Sequence, residues 1–189
     1  PGLAEYKYHY WNDYHIEIGD DPLLNEVAAF SCLCLQFFEA LCEVKGDSRI
    51  LAHFHEWMAG APIPDIKNKN LPISTVFTTH ATMLGRYLAQ RDSGFYEHLP
   101  YYNWHNEASQ FNIHTQVRIE RIAAKNCDVF TTVSDITATE CKHLLDREPD
   151  VLLPNGLSIE RFTALHEFQN LHRVYKEKIN KFVMGHFFP

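Results

Sequence analysis

The tetrapeptide Val-Phe-Thr-Thr occurs twice in this chain, at residues 76–79 and 129–132, and each copy precedes a segment with helical spacing. Valine, phenylalanine and threonine favour β-strands. Strands that alternate with helices of ten or more residues indicate a parallel sheet joined by crossover helices. The two copies therefore predict two βα units that present similar hydroxyl-rich strand ends to one side of a sheet.

The same alternation continues along the chain and predicts an α/β fold. Three-to-four spacing of apolar residues indicates a helix whose apolar side faces the core. Proline-rich residues 60–72 and aromatic-rich residues 94–104 are predicted to be irregular. The predicted strands are residues 49–54, 76–79, 128–133 and 150–153, and the predicted helices are residues 23–44, 81–90, 106–126, 134–145 and 166–184.

Composition limits the possible functions. The 189 residues are 46% hydrophobic, enough for a packed core, and the net charge of -7 argues against a nucleic-acid-binding protein. Five cysteines without a C-x-x-C pair indicate reduced thiols in a cytoplasmic protein. No signal peptide is visible, and no apolar run approaches the roughly 20 residues that cross a bilayer, so we expect no membrane association.

His80 and Arg86 form the first candidate site. His80 follows the strand at 76–79, and Arg86 lies in the second turn of the predicted helix that comes next. In open parallel sheets, ligands bind beyond the carboxyl ends of the strands, beside helix N-termini. A guanidinium there suits a diphosphate or phosphosugar oxygen. The alternative is that His80 is a structural histidine.

His53 and His55 form the second candidate site, at the end of the strand predicted for residues 49–54. Residues two apart on a strand share a face, so both side chains point to one side. They are interpreted as a substrate-binding pair, as core or capping residues, or as two zinc ligands. A zinc site needs a third ligand at a diagnostic spacing, and the sequence offers none.

The last predicted helix carries the third candidate site. His166, Gln169, His172 and Lys176 fall within a stripe of roughly 120° on the helix, at about 100° per residue. An apolar stripe of similar width is expected to face the core. The polar stripe is either a solvated face or a set of donors for a phosphate. The apolar stripe consists of Phe168, Leu171, Tyr175, Ile179 and Phe182.

In five segments the chain resembles the eukaryotic-type glycogen synthases, glycosyltransferase family three, in the same order and with compatible spacing. Together they span nearly the whole chain. The segments are His53-Phe54-His55-Glu56-Trp57-Met58-Ala59-Gly60, Phe77-Thr78-Thr79-His80-Ala81-Thr82-Met83-Leu84-Gly85-Arg86-Tyr87-Leu88, Val129-Phe130-Thr131-Thr132-Val133-Ser134, Pro154-Asn155-Gly156-Leu157 and His166-Glu167-Phe168-Gln169-Asn170-Leu171-His172.

The resemblance implies a retaining, metal-independent transfer of glucose from UDP-glucose to the non-reducing end of an α-1,4-glucan such as glycogen. It implies no cofactor. His80 and Arg86 match residues that bind the sugar nucleotide, His55 looks like a catalytic residue that reaches the donor sugar, and Asn155 matches a cleft-lining turn. The implied glucose-6-phosphate contacts are His166, Glu167, Gln169, His172 and Lys176.

The family has the GT-B fold, with two Rossmann-like domains, and this chain matches part of the first. The lysine-bearing glycine-rich loop is expected before Pro1. The second domain, which in the family carries the catalytic glutamate and an arginine-rich regulatory helix, is expected to lie outside residues 1–189. Residues 1–189 are therefore expected to be an incomplete N-terminal domain, inactive alone, of a homo-oligomeric parent. The alternative is a non-catalytic module that binds glucan or nucleotide.

Overall fold

The computed structural model of the protein describes residues 2–46, 49–157 and 165–187. The chain forms two compact units, Pro1–Pro154 and Asn155–Pro189. In the described part of the second unit the regular element is α10 (Leu165–Phe187). The first unit contains, in order, α1 (Leu3–Tyr14), α2 (Pro22–Lys45), β1 (Ile50–His55), α3 (Glu56–Gly60), α4 (Ile63–Asn68), β2 (Ile73–Thr79), α5 (Met83–Arg91), α6 (Phe95–His98), a 3-10 turn (Leu99–Tyr101), α7 (Trp104–Gln110), α8 (His114–Asn126), β3 (Val129–Thr132), α9 (Asp135–Glu140), a π-helical turn (Cys141–Leu145) and β4 (Val151–Leu152).

The strands of the described residues form one four-stranded parallel sheet in the order β1-β2-β3-β4. The two Val-Phe-Thr-Thr segments pair with each other residue by residue, with Val76 opposite Val129 and Thr79 opposite Thr132. The predicted α/β fold with a parallel sheet is confirmed, and the arrangement is Rossmann-like. Because β2 and β3 pair in register, they end at the same level.

The main core lies on one face of the sheet. Phe54, Phe77 and Phe130 point to this face, and the rings of Phe77 and Phe130 stack with their centroids 5.7 Å apart. Ile119 and Ala123 of α8 are buried in the same cluster. Fully burying an aromatic side chain of this size contributes roughly 1.5–3 kcal/mol. The paired strands are therefore fixed to α8 by their phenylalanines.

The opposite face of the sheet exposes apolar side chains, namely Leu51, Val129 and Val151. A sheet whose strands follow one another in spatial order, with right-handed crossovers, carries its connecting helices on one side. This topology explains why the connecting helices α3, α4 and α8 share the phenylalanine face, against which α2 also packs. His53 and His55 also project toward the face opposite the core, because they follow Leu51 by two and four residues on the same strand.

The predicted helix at 23–44 is confirmed as α2, but the side that its three-to-four apolar spacing predicts to be buried is largely wrong. That spacing is formed by Leu23, Leu24, Val27, Phe30, Leu33, Phe37, Leu41 and Val44. Leu24 and Val27 are buried, whereas Leu23, Phe30 and Leu33 are exposed, as are Phe37 and Val44. Apolar residues surround most of this helix, so their spacing does not select one side. The buried side also uses small residues, which allow close approach. It consists of Leu24, Val27, Ala28, Ser31, Cys32 and Leu35.

The length of α2 also qualifies the membrane expectation. With 24 residues it is long and apolar enough to cross a bilayer by length and composition alone. Its buried side packs into the protein core instead, for example through Leu24 and Leu35. Burial in the core accounts for the apolar character of that side.

Helix α1 has no counterpart in the sequence prediction. Tyr6 and Tyr10 are buried. Their four-residue spacing is the sequence feature that could have predicted a helix with one buried side. The buried carboxylate of Asp65 accepts hydrogen bonds from the Tyr6 hydroxyl and from the Tyr14 hydroxyl at 2.5 Å, and it pairs with His9 Nε2 at 2.7 Å. These contacts tie α1 to α4, because a buried carboxylate needs its partners.

The single helix predicted for residues 106–126 is wrong, because the structure has two helices there, α7 and α8. Asn112 has a φ of 57° and interrupts the helical path. Asparagine tolerates this left-handed conformation. Ile113, buried in a second apolar cluster, follows it. The predicted irregular segments also contain short helices, α4 and α6.

The predicted helix at 134–145 begins as α9, which Ser134 caps, since Ser134 Oγ accepts a hydrogen bond from the Thr137 N–H at 3.2 Å. The helix was predicted to run to about Leu145. In the structure the α-helix ends at Glu140, and a π-helical turn, Cys141–Leu145, follows it directly.

The apolar stripe of α10 does not face a core, in contrast to the prediction. Phe168, Tyr175, Ile179 and Phe182 are more than half exposed. Within the described residues of the second unit, α10 is the regular element, so no partner element covers the stripe.

Gly60 provides a test of this packing. A Cβ at Gly60 would lie 2.6 Å from Phe77 Cε2 and 3.0 Å from the Ala123 Cβ. We expect Gly60→Ala to lower the free energy of unfolding by about 1–3 kcal/mol, the usual cost of overpacking. Urea denaturation of the purified protein measures this change.

Gly19→Ala is the matched control, because a Cβ at Gly19 meets nothing within 4 Å. Its free energy of unfolding should stay within about 0.5 kcal/mol of the wild type. Equal effects of the two substitutions would contradict the packing of α3 against β2 and α8.

Candidate functional site

The candidate site lies where β1 and β2 end. His55 is the last residue of β1, and His80 follows the last residue of β2. Their rings meet, with His55 Nδ1 and His80 Nε2 3.2 Å apart. One ring nitrogen of this pair therefore donates and the other accepts. The two histidines, which the sequence places in separate candidate sites, thus lie side by side at the carboxyl edge of the sheet.

His53 stands behind His55 on the same face of β1. The ring centroids of His53 and His55 are 4.2 Å apart, which confirms that the two side chains share a side. His53 Nε2 lies 2.7 Å from Thr78 Oγ1, which lies 2.5 Å from Thr131 Oγ1. Burial and the neighbouring His55 lower the pKa of His53. His53 is therefore a hydrogen-bonded support for His55.

The structure gives no support to a zinc site at these histidines. A structural or catalytic zinc site needs three or four protein ligands. Within the described residues, no group of three or more histidine, cysteine, aspartate or glutamate side chains is placed to hold a metal ion.

Arg86 projects from α5, which begins at Met83, directly after β2. The helix is capped by Thr82, whose Oγ1 accepts a hydrogen bond from the Gly85 N–H at 3.1 Å. The Arg86 side chain is half-exposed, and its Nη2 lies 3.3 Å from Glu56 Oε2. The guanidinium therefore stands at the carboxyl edge of the sheet and is accessible to an anion.

Glu56 is a site residue that the sequence analysis missed. It follows His55 directly, and its Oε1 accepts a hydrogen bond from the His80 N–H at 2.8 Å. Its carboxylate thus contacts both His80 and Arg86. Glu56 has a φ of 66°, a left-handed conformation that costs a non-glycine residue about 1–3 kcal/mol. The sequence feature that could have indicated Glu56 is an acidic residue next to two histidines. Its left-handed backbone conformation cannot be recognised from the sequence.

Glu120 of α8 lies beneath the site and is fully buried. Its Oε1 accepts a hydrogen bond from the Thr79 hydroxyl at 2.9 Å, and its Oε2 accepts one from the Met83 N–H at 2.8 Å. These bonds fix the end of β2 and the start of α5. Burial raises the pKa of Glu120 to about 7. The sequence places Glu120 in a predicted helix but does not indicate its contact with the strand end.

Glu140 supports the same turn from α9. Its Oε2 accepts a hydrogen bond from the Thr82 hydroxyl at 2.9 Å, and its Oε1 accepts one from the Tyr96 hydroxyl at 3.1 Å. A Cβ at Gly85 would lie 2.5 Å from Glu140 Oε2. The close approach of Glu140 explains the glycine at the first turn of α5.

Asn155 is exposed and belongs to the second unit. It is not among the residues that the first unit brings together. The role that the resemblance implies for Asn155 stays a prediction.

The polar stripe predicted near the end of the chain lies on α10. Glu167, Gln169, His172 and Lys176 are exposed on this helix. Gln169, His172 and Lys176 are spaced three and four residues apart and so share one side. The side chain of His166 lies outside the described residues. Gln169, His172 and Lys176 therefore form the described part of a candidate anion-binding stripe, which belongs to the second unit.

Comparison with known proteins identifies close relatives along the whole chain. The sequence model of the Glycogen synthase family matches residues 2–189. The chain is 48% identical over 188 residues to the glycogen [starch] synthase of Neurospora crassa, which covers 98% of this chain and 26% of that protein.

Two further relatives agree with that match. Isoform 1 of the glycogen [starch] synthase of Saccharomyces cerevisiae is 45% identical over 187 residues, 98% of this chain and 26% of that protein. The liver glycogen [starch] synthase of Homo sapiens is 44% identical over 168 residues, 89% of this chain and 24% of that protein. The chain thus spans about a quarter of the length of these relatives.

Replacing Glu120 with glutamine tests the buried carboxyl. Because the pKa of Glu120 in the folded protein, about 7, is above its ordinary value of 4.5, folding favours the protonated form. The contribution of Glu120 to stability is fully present below pH 4.5 and is lost as the pH rises to 7. This loss amounts to about 3 kcal/mol.

Glu120→Gln should remove that part of the pH dependence. The amide keeps both contacts, because the Thr79 hydroxyl can accept from it and donate to the Ala81 carbonyl oxygen, 3.2 Å away. Urea denaturation at pH 5 and pH 7.5 should show the variant gaining stability relative to the wild type at the higher pH. Glu26→Gln, at an exposed position of α2, should show no such gain. A constant difference between Glu120→Gln and the wild type at both pH values would contradict the assignment.

Proposed function

Because the chain belongs to the glycogen synthase family, we propose that its parent protein transfers glucose from UDP-glucose to the non-reducing end of an α-1,4-glucan such as glycogen. The transfer retains the anomeric configuration and uses neither a metal ion nor a cofactor. The observation that carries this proposal is the convergence of His55, His80 and Arg86 at the carboxyl edge of the sheet.

The chemistry of a nucleotide-sugar donor fits this cluster. When the bond between glucose and the diphosphate breaks, negative charge grows on the departing diphosphate. Without a metal ion, that charge must be stabilised by cationic side chains and N–H donors that are already in place. Arg86 supplies such a cation beside the N-terminus of α5, where the helix dipole also favours an anion.

His55 and His80 are proposed to orient the donor. Each imidazole offers one ring nitrogen outside their mutual contact, and those nitrogens can hydrogen-bond sugar hydroxyls or phosphate oxygens. Holding the reacting groups in place contributes several kcal/mol to catalysis. The His55 imidazole is held in place by the neighbouring His53 ring, which is itself hydrogen-bonded to Thr78.

We propose that this chain supplies one wall of the cleft. The opposite wall belongs to a second Rossmann-like domain of a GT-B enzyme, together with the catalytic glutamate. Asn155 lines the cleft at its turn in this proposal. The chain alone is then inactive, and the parent protein is a cytoplasmic homo-oligomer.

The stripe on α10 is proposed to bind the effector glucose-6-phosphate through His166, Glu167, Gln169, His172 and Lys176. Imidazole, amide and ammonium groups are donors suited to a phosphate. The exposure of Gln169, His172 and Lys176 and their common side on the helix support this proposal. Glu167 enters it through the resemblance alone.

The proposed role of Arg86 can be tested in the full-length enzyme. Arg86→Ala should lower kcat/KM for UDP-glucose by about a hundredfold or more, because a cation facing the diphosphate is lost. Arg91→Ala is the matched control, since Arg91 lies on the same helix and pairs with Glu107 in a comparable half-exposed contact. Its kcat/KM should change less than about threefold.

Release of UDP in the presence of glycogen measures both variants, and the isolated chain of residues 1–189 serves as the inactive reference. Equal, small losses in the two arginine variants would contradict the role of Arg86. UDP-glucose-dependent glucan extension by the isolated chain would contradict the proposal that it is only one wall of the cleft.

The proposed binding of the effector can be tested as well. His172→Ala should weaken the binding of glucose-6-phosphate to the full-length protein by at least about tenfold, because a hydrogen bond to a charged phosphate contributes about 1.5–3 kcal/mol. Isothermal titration calorimetry measures the affinity. Lys181→Ala, about 180° away around the same helix, should leave it unchanged. Unchanged affinity in His172→Ala would rule out this stripe as the effector site.

A further inference from the structure

Glu56 connects the two halves of the candidate site. Its two carboxylate oxygens divide between two partners, with Oε1 accepting from the His80 N–H at 2.8 Å and Oε2 lying 3.3 Å from Arg86 Nη2. His80 belongs to the turn after β2, and Arg86 belongs to α5. The Glu56 side chain therefore fixes both the backbone at His80 and the guanidinium of Arg86.

The backbone at Glu56 is held in an unfavourable conformation. Its φ of 66° is in the left-handed region, where a long side chain is rarely found. Strained residues persist where the surrounding structure holds them, and they concentrate at functional sites. Here the surroundings are rigid, because Trp57 is buried and Gly60 packs closely against Phe77.

The contact with Arg86 is not explained by stability. An exposed ion pair with a single contact at 3.3 Å contributes little to folding. A guanidinium held through one nitrogen keeps its other N–H donors for a ligand. Such a contact orients the cation without saturating it.

We propose that Glu56 is the positioning residue of this site. Through the His80 N–H it sets the turn that presents the His80 imidazole to His55, and through Arg86 it aims the guanidinium at the departing diphosphate. This inference rests on the proposed transfer from UDP-glucose, and it adds a residue that touches neither the sugar nor the leaving group.

Two variants of the full-length protein separate the two contacts. Glu56→Gln keeps an oxygen that accepts from the His80 N–H and removes the charge beside Arg86. Glu56→Gly removes both contacts and suits the left-handed backbone, because glycine has no Cβ. Glu107→Gln is the control, since it neutralises the partner of another arginine on α5.

The expected kinetic result is a loss in kcat. Misplacing a reacting group by about 1 Å costs up to roughly a hundredfold in rate, so kcat should fall at least about tenfold in Glu56→Gly and Glu56→Gln. KM for UDP-glucose should change less than about threefold. The melting temperature of Glu56→Gly should be no lower than that of the wild type, because glycine relieves the backbone strain.

Hydrogen exchange of the His80 amide tests the positioning independently of activity. Its exchange rate should rise at least about tenfold in Glu56→Gly, which removes the acceptor, and should stay unchanged in Glu56→Gln and Glu107→Gln. Unchanged exchange in Glu56→Gly would overturn the proposal. A kcat within about twofold of the wild type in both Glu56 variants would also overturn it. Tighter binding of UDP by Glu56→Gln with an unchanged kcat would overturn it as well, because Glu56 would then compete with the diphosphate for Arg86.

These outcomes also separate this inference from the proposed function. A wild-type enzyme that transfers no glucose from UDP-glucose, combined with faster exchange at His80 in Glu56→Gly, would refute the function and support the positioning. An active wild type whose Glu56 variants match it in kcat and exchange would refute the positioning alone.

Discussion

The in-register pairing of β2 with β3 is the constraint on which the rest of the first unit depends. Because the two Val-Phe-Thr-Thr segments lie opposite each other, their phenylalanines stack in the core and their threonines end at one level. The first threonines of the two copies, Thr78 and Thr131, are buried and hydrogen-bond each other on the face opposite the core. A slip of one residue would exchange the two faces of the strand. The pairing thus fixes both the core and the edge of the sheet that carries the candidate site.

The site at that edge is held by acidic residues that lie below and beside it. Glu120 bonds the end of β2 to the start of α5, and Glu140 bonds the cap of the same helix. Glu56 then joins His80 to Arg86. The basic and imidazole groups thus depend on a frame of carboxylates. Under the proposed function, the imidazole and guanidinium groups that this frame holds are preorganised for a diphosphate. These donors need little rearrangement when the charge develops.

The sequence predicted the parts of this site that follow from strand periodicity and from position after a strand. The positions of His80 and Arg86 come from the rule that ligands bind at the carboxyl ends of parallel strands. The position of His55 beside His53 comes from strand alternation. Glu56 and Glu120 could not be predicted in the same way. The role of Glu56 depends on a left-handed backbone, and that of Glu120 depends on a helix packing 41 residues away from its threonine partner. Neither leaves a local pattern.

The errors in the fold have similar physical causes. Helix α2 is apolar around most of its circumference, so its spacing did not identify the side that packs on the sheet. Helices α7 and α8 were predicted as one because a single left-handed residue, Asn112, separates two helical patterns. Helix α1 depends on buried tyrosines and on Asp65, which is distant in sequence. Tertiary contacts decide the cases of α1 and α2, and local propensity does not.

The most direct test of the central claim is a crystal structure of the full-length protein with UDP-glucose. The account predicts the diphosphate within about 3 Å of the Arg86 guanidinium, the usual hydrogen-bond distance. It also predicts that the imidazole of His55 or His80 contacts the donor. A donor bound away from Arg86 and both histidines would contradict the claim that this strand edge forms a wall of the transfer site.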